Sequence, residues 1–130
     1  QCTLHDLARE SDYISLHVPL SPTTRRFIDA AFLASMKPTA FLINTSRGGL
    51  VDHVALADAL NAGQIAGAAL DVQDPEPPAL DQAPFNLPQV IVTPHTAFVS
   101  DRSLVTLRQT ACRQALQALR GERPENIVVG

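Results

Sequence analysis

Short apolar runs alternate along the chain with segments whose apolar residues recur every three to four positions, and this alternation predicts an α/β fold. Leu4 to Glu10 reads as a short helix capped by Thr3, with Asp6 three positions after the cap. Tyr13 to Val18 is a strand stopped by Pro19. Asp29 caps a helix over Ala30 to Met36, which Lys37-Pro38 ends. Ala40 to Asn44 is a second apolar strand. Asp52 then caps a third helix, with Val54, Leu56, Ala57 and Leu60 facing inward and Gly63 just past its end. Ile65 to Val72 is a third strand, close-packed at Gly67, Ala68 and Ala69. Val90 to Thr93 is a fourth, cut off by Pro94. Ser100 or Asp101 opens a long C-terminal helix with Leu104, Leu107, Ala111, Ala115, Ala118 and Leu119 along one face, and Gly121 ends it.

Strands that are apolar throughout and alternate with helices predict a parallel sheet covered on both faces. In such sheets ligands bind beyond the carboxyl ends of the strands. Chemistry is therefore sought in Val18 to Thr24, Asn44 to Asp52, Asp71 to Pro78 and Thr93 to Phe98, which hold most of the unusual polar residues. The connection from Gln73 to Gln89 carries five of the ten prolines, which stiffen it. Long ordered connections of this kind are usually functional.

Composition narrows the classes. The chain has 130 residues, 45 % hydrophobic and 18 % charged, too apolar and too weakly charged for a disordered segment. Ten Lys and Arg against thirteen Asp and Glu leave a net charge of −3, with Lys37 the only Lys and no basic run. That balance gives no electrostatic reason to expect nucleic acid or a membrane surface as partner. No apolar stretch is long enough to span a bilayer, and the pattern fits a cytoplasmic protein. Cys2 and Cys112 make neither a disulfide framework nor a metal-ligand spacing, so two reduced thiols and no metal site are expected.

The strand ends supply the candidate chemistry. Arg47, followed by Gly48 and Gly49, offers a fork of donors that matches a carboxylate two bonds at a time. Asp71 follows a purely apolar run, where a carboxylate needs a partner or a ligand. Glu76 is held between Pro75 and Pro77 and can reach His95 across neighbouring strand ends. A carboxylate beside an imidazole favours its charged form and fixes its tautomer, making a general acid near neutral pH. His5, His17 and His53 have nothing around them in sequence that suggests catalysis. An Arg for a carboxylate and a Glu-paired His for a proton suit reduction of a 2-oxo acid.

These segments together resemble the D-isomer-specific 2-hydroxyacid dehydrogenases. The matching stretches are Leu16-His-Val-Pro-Leu-Ser-Pro-Thr-Thr-Arg25, Met36-Lys-Pro38, Leu42-Ile-Asn-Thr-Ser-Arg-Gly-Gly-Leu-Val-Asp52, Ala55-Leu-Ala57, Gly67-Ala-Ala-Leu-Asp-Val72, Glu76-Pro-Pro78 and Val92-Thr-Pro-His-Thr-Ala97. The resemblance implies NAD as cofactor and a small 2-hydroxy or 2-oxo acid as substrate. It implies that Arg47 binds the substrate carboxylate and that His95, paired with Glu76, exchanges a proton with the substrate oxygen. It places Thr45, Ser46, Arg47, Asp71, His95 and Ala97 at the nicotinamide side of the cofactor, and His17, Val18 and Pro19 along the adenosine side. The tail from Pro94 to Phe98 is similar to the C-terminal-binding-protein branch, which sets Phe98 at the substrate pocket together with Arg47 and His95. The phosphoglycerate dehydrogenase branch shares the other motifs. By resemblance the full-length protein is a homodimer. An NAD(H)-sensing, corepressor-like interaction protein is the alternative.

One departure stands out: the six glycines never make Gly-x-Gly-x-x-Gly. That loop cradles the pyrophosphate at a helix N-terminus. The acidic residue that would hold the ribose is absent too. Residues 1–130 are therefore expected to be the C-terminal part of a Rossmann-type dinucleotide-binding domain, without the glycine-rich loop and the substrate domain. Asn126 to Val129 resembles the chain returning toward that second domain.

Overall fold

The computed structural model describes residues 2–127, in two compact units that divide between Ala97 and Phe98. The first unit runs α1 (Leu4–Glu10), β1 (Tyr13–Leu16), α2 (Ala30–Ser35), β2 (Phe41–Asn44), α3 (His53–Asn61), β3 (Gly67–Leu70) and β4 (Val90–Val92). All four strands are parallel and lie in the sheet in chain order, with Phe41 in register between Tyr13 and Gly67. The three capping signals act as the sequence predicts. Thr3 Oγ1 accepts from the Asp6 N–H, Asp29 from that of Phe32, and Asp52 from those of Val54 and Ala55. Each bond satisfies an N–H that a helix start leaves open, contributing about 1 kcal/mol.

The strands are shorter than the apolar runs that encode them. Val18, Ile65, Val72 and Thr93 lie outside the ladder, because a parallel pair extends only as far as both neighbours do. Alternate residues Ile14, Leu16, Leu42, Ala68 and Leu70 point to one face and pack against Phe32, Leu33, Leu56, Ala59 and Leu60 of α2 and α3. Burying each of the larger side chains is worth about 2 kcal/mol. The opposite face is open: Tyr13 and Ile91 are 70 % and 67 % exposed, and Tyr13 stacks on Phe41 at 5.7 Å. Among the described residues of this unit, α2 and α3 therefore cover one face and not both. Strands that follow in sequence order with right-handed crossovers place α2 and α3 on the same side. Val54, expected inward, is 73 % exposed. At 100° per residue it lies about 160° around the helix from Leu56 and about 120° from Leu60, which are buried.

The second unit is built on α4 (Ser103–Leu119). Ser100 Oγ accepts from the Ser103 N–H while Ser103 Oγ accepts from the Ser100 N–H, so Ser100 does open this helix, from two residues before its formal cap. Gly121 ends it at a φ of +76°. No residue of α4 is buried, and Leu107 and Leu119 of its predicted apolar face are exposed. The expected return of the chain at Asn126 to Val129 extends past the last described residue. No helix among the described residues is long and apolar enough to cross a membrane.

Two glycines serve the fold for different reasons. At Gly63, just past α3, φ is +67° and a Cβ would meet nothing, so only conformation is at stake. At Gly48 a Cβ would sit 2.0 Å from the Gln73 carbonyl carbon, so backbone would have to move. Gly63→Ala is expected to cost about 1 kcal/mol and Gly48→Ala about 3 kcal/mol or more, read from urea unfolding midpoints. Equal midpoints for the two variants would remove the close approach as a constraint.

Candidate active site

The end of β2 is shaped by a buried amide. Asn44 is fully buried; its Nδ2 donates to the Arg47 carbonyl at 2.9 Å, and its Oδ1 accepts the Ser46 N–H at 3.0 Å. These bonds fold residues 44–47 into a tight turn. Ser46 Oγ donates to the Val18 carbonyl at 2.8 Å, tying this turn to the chain just past β1. Arg47 is exposed, anchored only by its Nη1 on the Ser46 carbonyl at 2.7 Å.

The end of β3 is organised by Asp71, 4 % exposed. One carboxylate oxygen accepts from the Thr93 hydroxyl and the Thr96 N–H, the other from the Ala97 N–H at 2.9 Å. The Asp71 carbonyl accepts the His95 N–H, also at 2.9 Å. Asp71 thereby gathers residues 93–97 into a turn in which His95 takes a φ of +52°. Burial opposes ionisation of Asp71, but the Thr93 hydroxyl, the two N–H groups and the nearby His95 outweigh it and lower its pKa.

Across this turn, His95 Nδ1 meets Glu76 Oε2 at 3.0 Å, while Glu76 Oε1 accepts the Gln73 N–H at 2.9 Å. The Glu76 pKa is lowered chiefly by the His95 bond, then by the Gln73 N–H, with a smaller contribution from the Arg47 charge. His95 and Glu76 thus meet across neighbouring strand ends, and the Arg47 charge acts on the same carboxylate. Gln73, 7 % exposed, donates through Nε2 to the carbonyls of Leu70 at 3.1 Å and Thr93 at 3.3 Å.

Beside this cluster lies a concavity of about 290 Å³, floored by Ile43, Ala69 and Ile91 and edged by Thr45, Thr96 and Ala97. Its floor is the open face of the sheet. Three of the four lone-pair positions of Asp71 are taken by protein donors, leaving one on Oδ2 for an amide N–H. An apolar floor with a single spare carboxylate acceptor fits a flat, amide-bearing ring. His17, Val18 and Pro19 follow β1, the edge strand beside β2, two strands and about 10 Å along the sheet from Asp71 at the end of β3. His17 Nε2 contacts Ser15 Oγ at 2.9 Å.

Phe98 begins the second unit and is 51 % exposed. His53 opens α3, meets Phe85 edge-on at 5.2 Å, and has its pKa lowered by burial, a packing role. Both cysteines are free and exposed. Among the described residues, no group of three His, Cys, Asp or Glu could hold a metal. Sequence reasoning missed Asn44, Gln73 and Thr93 as organisers of the site. The available signal was an amide or hydroxyl residue closing an apolar run.

Strand ends of a parallel sheet that carry a buried carboxylate and a paired imidazole define a Rossmann-type, dinucleotide-binding α/β unit. The chain belongs to the D-isomer specific 2-hydroxyacid dehydrogenase family, whose NAD-binding domain matches residues 1–97. A Haemophilus influenzae protein that carries the 2-hydroxyacid dehydrogenase name is 46 % identical over 106 residues, 78 % of this chain and 34 % of its own. D-3-phosphoglycerate dehydrogenase of Methanocaldococcus jannaschii is 41 % identical over 125 residues, 96 % of this chain and 24 % of its own. The NAD-complexed D-isomer specific 2-hydroxyacid dehydrogenase of Lactobacillus delbrueckii superposes with a TM-score of 0.85 at 36 % identity, covering 98 % of this chain and 43 % of that one. The chain therefore spans about a third or less of these curated relatives.

The lowered Asp71 pKa has a defined effect on stability. Asp71 stabilises the fold above its unfolded value of about 4, and that contribution is lost as pH falls through the still lower folded value. Asp71→Asn should therefore lower the thermal midpoint at pH 7 and flatten its decline below about pH 4. Parallel midpoint-against-pH curves for the two proteins would refute the assignment.

Proposed function

We propose that the protein of which these residues form part is an NAD-dependent oxidoreductase that reduces a small 2-oxo acid to the D-2-hydroxy acid. The observation that carries this reading is the Glu76–His95 contact at 3.0 Å, with the Arg47 charge close enough to act on the same carboxylate. Arg47 pairs with the substrate carboxylate through its guanidinium fork. His95 Nδ1–H donates to Glu76, which leaves Nε2 as the atom that gives its proton to the substrate carbonyl oxygen. Glu76 stays ionised at neutral pH and balances the imidazolium until the proton leaves. Asp71, Thr45, Ser46 and Ala97 would hold the nicotinamide end of the cofactor, and His17, Val18 and Pro19 its adenosine end. When bound, that cofactor supplies the hydride that reaches the carbonyl carbon. In the oxidative direction His95 takes the proton back.

Phosphate binding is assigned to a glycine-rich segment outside these 130 residues, since none of their glycines forms one. Phe98 is assigned to the substrate pocket on the family resemblance alone. An NAD(H) sensor has no need of a proton donor, so the paired His95 favours catalysis. A nucleotide-dependent pull-down of a partner by a full-length protein without turnover would favour sensing instead.

In the full-length protein, His95→Ala is expected to lower kcat by about 10²- to 10⁴-fold, and Arg47→Ala to raise KM for the 2-oxo acid by about 10- to 100-fold. Glu76→Gln removes the counter-charge, so in the oxidative direction, where His95 must be neutral, the acid limb of the pH–rate profile moves to lower pH. An unchanged profile would take Glu76 out of the mechanism. The 130-residue chain alone should show no NADH oxidation with glyoxylate, hydroxypyruvate or 2-oxoglutarate. Turnover by that chain, abolished by His95→Ala, would overturn the assignment of phosphate binding elsewhere.

A further inference from the structure

Three strand ends meet at Gln73. Its N–H holds one oxygen of Glu76, and its backbone abuts Gly48, where even a methyl would lie 2.0 Å from the Gln73 carbonyl carbon. Its side chain does something separate. Both partners of Nε2, the Leu70 and Thr93 carbonyls, are acceptors, so the amide must turn its NH2 toward them. The Leu70 carbonyl also accepts the Thr93 N–H at 3.0 Å, which makes this amide a brace just past the final β3–β4 register pair, Leu70 with Val92. The Thr93 carbonyl also accepts the His95 N–H at 3.0 Å, closing a three-residue turn around Pro94, whose ring presets the backbone. One buried amide therefore bears on the turn that presents His95. The same residue's main chain bears on the carboxylate that His95 meets.

We propose that the Gln73 side chain is a positioning residue, which holds the Thr93–His95 turn at a fixed distance from Glu76 and so sets the Nδ1–Oε2 contact. This rests on reading His95 and Glu76 as the proton-exchanging pair. Arg47 lies outside the brace: Asn44 holds its turn, and Gly48 next to it meets the main chain of Gln73. Loss of the NH2 should therefore act on proton transfer and not on substrate carboxylate binding.

Gln73→Met in the full-length protein keeps the volume and removes both donors. Expected are a fall in kcat of about tenfold, the size of one or two lost hydrogen bonds, and a KM for the 2-oxo acid within about twofold of wild type. In a Glu76→Ala background the same substitution should change kcat by less than about twofold, because the contact it sets is already gone. A downfield imidazole proton shared between His95 and Glu76 is expected by NMR in the wild-type protein and should be lost in Gln73→Met. If that variant does not fold, Gln73→Asn, an amide too short to reach both carbonyls, takes its place with the same readouts. An equal loss in the Glu76→Ala background, or a rise in KM as large as the fall in kcat, would overturn the proposal, as would a retained imidazole proton with unchanged kcat. A wild-type protein that reduces no 2-oxo acid refutes the proposed function. The imidazole proton then decides on the brace by itself.

Discussion

A parallel ladder that stops leaves N–H and C=O groups without strand partners, and where it stops inside a protein those groups need other partners. The buried polar side chains among the described residues are Asn44, Asp71 and Gln73, and all three lie at or just beyond the ends of β2 and β3. Asn44 satisfies the turn that presents Arg47. Asp71 satisfies the turn that contains His95. Gln73 satisfies the last carbonyls between β3 and β4 and holds Glu76. The need to finish the sheet and the need to aim three polar side chains are thus met by the same residues. Each has its partners, since a buried polar group left half-satisfied would cost more than an apolar substitute.

Stability and chemistry draw on different parts of the unit. The apolar core lies on the face covered by α2 and α3, while the candidate site lies at the strand ends and on the open face. His95 and Glu76 keep 43 % and 37 % of their side-chain surface exposed. An ion pair that open to solvent adds little to folding. Its geometry therefore supports the proposed reaction more than it supports the stability of the chain.

Much of the architecture was legible because local signals agreed with the global pattern. Capping residues, prolines after strands and the order of apolar runs marked the elements, and the resemblance motifs marked Arg47, Glu76 and His95. Pattern alone did not disclose which face of the sheet is covered, since an apolar strand reads the same whether one side or both are packed. Val54 failed for a related reason: an apolar residue in a helix start does not announce its side. Asn44 and Gln73 were invisible as organisers because their partners are backbone carbonyls and N–H groups, which any sequence supplies. Only the fold reveals which of them meet.

The ties from Asp71 to the N–H groups of Thr96 and Ala97 bear on motion as well as on geometry. Loop amides ordinarily exchange their hydrogens with solvent through small local openings, far below the free energy of global unfolding. Here those two amides are bonded to a carboxylate rooted at the end of β3, so freeing them means disturbing the sheet's own terminus. On the timescale of hydrogen exchange the turn that carries His95 should behave as part of the β3–β4 unit. Breathing of the molecule would then begin elsewhere, and leave this turn until late.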